Sequence, residues 1–164
     1  MDEFVSLAEI AGVFVGFGAL IGLVRPEAHD EKDLQRIGNV VSTGLLVLAT
    51  ALFPVLADRY GLTARALWTL SSAVFLGSIW FYHLFPLFSK PTREAAFDAW
   101  KSNLAMTLLI WVLFEIPVQL LLILAILDFL TELSPAFYMT GLVFNLFKAA
   151  TILGQVLLRN QPAE

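Results

Sequence analysis

Cysteine is absent from this chain. That excludes disulfides, thiolate nucleophiles and cysteine-ligated metal centres, and it removes any redox clue to the compartment. Histidine is nearly absent as well. His29 and His83 are the only two, and nothing in their spacing pairs them on a metal or a haem. Charged residues make up only 15% of the chain. No basic run resembles a nucleic-acid footprint, so nucleic acid is not an expected partner. HExxH, GxSxG and a glycine-rich phosphate loop are all missing. Aspartates are confined to the N-terminus, loops and run ends, which excludes an intramembrane aspartyl dyad. Enzyme chemistry, a cofactor and a metal are therefore not expected. Two arrangements remain conceivable. Ser71 or Ser78 with His83 would be a nucleophile and its base, and Lys148 would form a Schiff base with Glu115 as counter-ion. No supporting motif accompanies either.

What the chain has in abundance is apolar sequence. Hydrophobic residues reach 59% and mean hydropathy is +0.80, against about 45–50% apolar in soluble domains. The excess falls into five runs, about 4–24, 37–57, 65–88, 104–127 and 136–158. Each holds about 20 residues or more, enough for a helix to cross a hydrocarbon core of about 30 Å. Continuous apolar runs of that length are helices, because lipid offers backbone groups no other partner. Barrel-type alternation is missing. The predicted fold is all-α: one polytopic membrane domain over residues 1–164, built as a bundle of five transmembrane helices.

Punctuation supports the boundaries. Pro26 stops the first run, Thr63 can N-cap the third, and Ser134-Pro135 reads as an N-cap followed by an N1 proline. Pro54, Pro86 and Pro117 are expected to kink or end their helices. Pro117 follows Glu115 by two residues and cannot donate to the carbonyl of Leu113. Met1-Asp2-Glu3 lacks the positive region of a signal peptide, so the first run is expected to be a retained helix.

Seven basic residues fall on one side: Arg25, Lys32, Arg36, Lys90, Arg93, Lys101 and Arg159. Only Arg59 and Arg65 fall on the other. The positive-inside rule then puts the N-terminus outside and the C-terminus in the cytoplasm. The expected location is a bacterial inner (plasma) membrane. Trp80, Phe81, Tyr82, Phe85, Phe88 and Trp100 form an inner aromatic belt that includes His83. Tyr60, Trp68, Phe137 and Tyr138 form the outer one. Residues 27–36 and 91–103 read as cytoplasmic helical extensions, either plainly solvated or a surface for a cytoplasmic protein partner.

Two charges stand mid-run, Glu115 in the fourth run and Lys148 in the fifth. A charge at the bilayer centre costs roughly 2.5–3.5 kcal/mol or more, so both are expected to face each other or water. Antiparallel neighbours joined by a short loop would bring them to similar depth. The pair either pins two helices together or relays a proton or ion. Gln119 lies one turn beyond Glu115. Gly141, Asn145, Lys148, Thr151, Gln155 and Arg159 share one helical face, the arrangement of a wall facing the bundle interior or a water-filled cavity. Glu9 sits near the outer interface, as a headgroup-reaching carboxylate or an ion ligand. Ala8, Gly12, Gly16 and Ala19 form a small-residue stripe, with Gly18 and Gly22 as a second pair. Such spacing lets backbones approach in lipid, here against another helix of the chain or a neighbouring copy.

Five helices barely enclose a polar path, so a homo-oligomer in the bilayer is expected. The first functional expectation is a small channel or pore lined by the fifth-run stripe, with Glu115 setting selectivity or gating. The alternatives are a non-conducting sensor or subunit, and a proton-coupled carrier using Glu115 and Lys148. Small size and the lack of an inverted repeat count against the carrier.

Overall fold

The structure is a computed structural model and describes residues 1–24, 31–88 and 104–159. These residues form helices and turns, with no strand among them. Helix α1 spans Asp2–Val24, α2 Glu31–Arg59 and α3 Ala64–Leu84. A 3₁₀ turn, Phe85–Phe88, follows α3 and holds Pro86. Next, α4 (Leu104–Ile110), a π turn (Trp111–Glu115) and α5 (Ile116–Ile126) run on without interruption. A second 3₁₀ turn, Thr131–Leu133, leads into α6, Ser134–Arg159.

Among the described residues, four stretches are long and apolar enough to cross a membrane: Asp2–Val24, Leu34–Arg59, Thr107–Ile126 and Thr131–Leu157. This fits a membrane protein. The third expected run is not among them, although α3 has 21 residues. Arg65, Trp68, Ser71, Ser72, Ser78, Tyr82 and His83 dilute its apolar character. Of the expected extensions, residues 31–36 belong to α2, while 27–30 and 91–103 lie outside the described residues.

The chain divides into two compact units, Met1–Gly61 with Leu142–Glu164, and Leu62–Gly141. In the first, α1 and α2 form an antiparallel hairpin. The seam on α1 runs through Phe4, Leu7, Ala8, Ala11 and Gly18, and that on α2 through Ile37, Val40, Gly44, Val47, Ala51 and Pro54. Both recur on the seven-residue period of a helix pair packed side by side. Glycines permit the approach. A Cβ on Gly18 would lie 2.8 Å from Val41 Cγ2, and one on Gly44 would lie 2.8 Å from Val15 Cγ2 and 3.3 Å from the Ala11 carbonyl.

Gly61, at φ +77°, ends α2 as a left-handed C-terminal residue should, its N–H donating to the Asp58 carbonyl at 2.9 Å. Thr63 takes the extended N-cap conformation before α3, but its hydroxyl makes no capping bond. Ser134 corrects its expectation as an N-cap. It is already helical (φ −53°, ψ −41°), its N–H donating to the Thr131 carbonyl. The preceding 3₁₀ turn starts the helix instead, and the Ser134 hydroxyl is left buried without a hydrogen-bond partner.

The second unit is built on α3 packed antiparallel to α5. Phe75, Val118, Leu122 and Tyr138 are almost fully buried. The Phe75 and Tyr138 rings meet edge-on at 5.5 Å, and Trp68 lies 5.9 Å from Tyr138. Gly141 fits against this cluster, since a Cβ there would lie 3.3 Å from Phe75 and 3.6 Å from Val118.

Candidate functional site

The seam of α5 begins with a charge. Val118, Leu122 and Ala125 are its buried apolar positions, and Glu115, one turn before Val118, occupies the same line. Glu115 is 2% exposed. It closes the π turn, in which the Ile116 N–H reaches back to the Trp111 carbonyl. The widening has a local cause. Pro117 carries no N–H, and its ring would strike the carbonyl four residues earlier in a regular helix. Opening one turn relieves that contact and rotates the preceding side chains. π turns of this kind recur at functional sites.

The rotated carboxylate meets α3. His83 Nε2, in the last turn of α3, lies 3.4 Å from Glu115 Oε1. The distance is that of an ion pair, slightly beyond a hydrogen bond. The Trp111 ring, from the start of the same π turn, lies 5.0 Å from the imidazole, and the Tyr82 ring lies 5.7 Å from it. The imidazole therefore has two aromatic neighbours. Its side chain is 24% exposed while the carboxylate is closed off. An imidazole beside a buried carboxylate can accept a proton from water and pass it inward. The chain matches no family model, no curated protein and no solved structure.

The other expected site residues are distributed as follows. Gln119 is half-buried on α5, one turn past Glu115. Lys148 and Asn145 are buried on α6, at 8% and 3% exposure. Glu115 belongs to the second unit and Lys148 to the first. Thr151 faces outward and donates to the Phe147 carbonyl at 2.8 Å. Gln155 is half-buried, with an amide nitrogen that lacks a hydrogen-bond partner. Glu9 is exposed. Of the small residues, Ala8 and Gly18 are buried, and a Cβ on Gly12 would lie 3.7 Å from Leu48 and one on Gly22 3.6 Å from Ile37. Gly16 and Ala19 are exposed, and a Cβ on Gly16 would meet nothing beyond its own helical turn within 4 Å. Gly44 and His83 are the residues that spacing within one run does not disclose, since each gains its role from another helix. Among the described residues no cluster could hold a metal.

Proposed function

We propose that this chain is a small membrane channel whose permeant is the proton, with Glu115 as the buried acceptor and His83 as its partner. The carrying observation is the 3.4 Å approach of the His83 imidazole to a carboxylate that is 2% exposed. A carboxylate this deep in an apolar seam is expensive to keep. A structural pin between α3 and α5 would be met as well by a packed apolar pair. Proton passage needs both groups and needs them close. His83 takes a proton from water, and the imidazolium Nε2 releases it to Glu115 Oε1. The imidazole is then neutral and the carboxylate is a carboxylic acid. One intervening water or a small side-chain rotation closes the remaining distance.

In this reading α3 also crosses the bilayer and brings the spans to five, the N-terminus is outside and the C-terminus cytoplasmic in a bacterial inner membrane, and copies associate in the bilayer. Asn145 and Lys148, buried on α6 in the first unit, are a second candidate polar group. The test is proton flux into liposomes holding purified protein, read with a trapped pH indicator. Glu115→Gln keeps the side-chain volume and is expected to reduce flux roughly a hundredfold, the lower range for a lost proton-transfer group. Lys148→Met is expected to alter the rate without abolishing assembly. Absence of flux from folded wild-type protein overturns the channel and turns the reading to a non-conducting sensor or subunit.

A further inference from the structure

At the opposite end of the second unit is a cavity of about 290 Å³, between the start of α3, the α5–α6 turn and the start of α6. Its walls carry both signs of charge. Arg65 and Asp128 meet at 2.8 Å on one side, and Glu132 stands on the turn. Trp68 forms an aromatic wall. Ser134 also lines the cavity, is 2% exposed and has a hydroxyl with no hydrogen-bond partner. A buried hydroxyl without a partner costs free energy unless a ligand or water completes it.

We propose that this cavity binds a zwitterionic phosphate–ammonium group, the headgroup chemistry of phosphoethanolamine. The terminal guanidinium nitrogens of Arg65, whose Nε faces Asp128 at 2.8 Å, and the Ser134 hydroxyl donate to phosphate oxygens, since a guanidinium keeps further N–H donors for that anion. The ammonium lies toward Glu132 and the face of Trp68, where a carboxylate and an indole ring both attract a cation. Three observations favour this ligand. The cavity is at the small end of ligand pockets, about 300 Å³ upward, so it fits a headgroup rather than a larger molecule. Its charges are of both signs and adjacent, as a zwitterion requires. It opens at the N-terminal end of the membrane-competent stretch Thr131–Leu157, where an apolar helix leaves the hydrocarbon for the headgroups.

The experiment compares full-length wild type, Arg65→Gln and Ser134→Ala in detergent. One arm adds phosphatidylethanolamine or phosphatidylglycerol, and the other adds soluble phosphoethanolamine. Native mass spectrometry reads retained ligand and thermal melting reads stability. Wild type is expected to retain phosphatidylethanolamine in preference to phosphatidylglycerol. Both variants are expected to retain it roughly three- to tenfold less, the size of one or two lost hydrogen bonds. Ser134→Ala should melt no lower than wild type without ligand, because it removes an unsatisfied group, so weaker retention cannot be ascribed to misfolding. A response to soluble phosphoethanolamine, weakened in the same variants, supports the site and assigns its source to a soluble zwitterion if the lipid arm is silent. Equal retention of both lipids, or equal retention by all three proteins, overturns the proposal.

Discussion

At one end of the second unit, Arg65 and Asp128 meet at 2.8 Å with the arginine side chain 74% exposed. Near the other end, His83 and Glu115 meet at 3.4 Å with the carboxylate shut away from solvent. The shorter contact is the weaker support for the fold. Asp128 is 17% exposed, but water reaches the arginine and screens the pair, and holding a long side chain in place costs entropy, so pairs open on one side contribute about 0–1 kcal/mol. The longer contact sits where charge is expensive, so its loss is felt more strongly. Distance alone misranks the two, and burial decides.

The largest test removes the cluster between them. Phe75→Ala is expected to cost roughly 3–5 kcal/mol, through lost burial and the cavity left against Tyr138 and Gly141. Thermal melting in detergent checks it, and both ends should loosen together. A change confined to one end would show that the two are independently held. Next is His83→Phe, which removes one partner of a buried carboxylate and is expected to cost about 3 kcal/mol. Adding Glu115→Gln should restore much of that stability, giving a non-additive double-mutant cycle. Additive losses would mean that the two side chains do not interact.

The same contrast of closed and open positions extends to the first unit. Gly44→Ala places a Cβ against Val15 and the Ala11 carbonyl, and it should destabilise by about 1–3 kcal/mol. Gly16→Ala meets nothing within 4 Å and should stabilise its helix by about 0.5–1 kcal/mol. Melting of the two variants side by side checks the sign of each. The smallest effect belongs to Arg65→Gln, which should change ligand-free stability by about 1 kcal/mol or less. A larger loss in lipid-free detergent would place that pair on a par with His83–Glu115.

The membrane character, the helical class and the mid-run position of Glu115 were legible in the sequence, because apolar length and a misplaced charge need no partner to be seen. A hydroxyl inside a helix finds a carbonyl of its own backbone without a second helix. Thr50, Ser78, Thr140 and Thr151 donate to carbonyls four residues earlier. What depends on a second helix was not legible. His83 by sequence belongs to an interfacial aromatic belt, yet the π turn aims Glu115 at it. The stripe Ala8, Gly12, Gly16 and Ala19 follows helical spacing, but the hairpin seam passes through Gly18 and Gly44 and leaves Gly16 and Ala19 open. A small residue permits contact on any side, and its partner decides which side is used. Ser134 has the identity of a cap, but the 3₁₀ turn before it makes the cap unnecessary.

The central claim is that Glu115 exchanges a proton in place. Infrared difference spectroscopy of the protein in lipid, between about pH 8 and about pH 5, reads carboxyl protonation directly. Proton exchange at Glu115 gives a protonated-carboxyl C=O band that changes between these two pH values, disappears in Glu115→Gln and shifts in His83→Phe. A carboxyl signal that is identical at both pH values, or unaffected by Glu115→Gln, would contradict it.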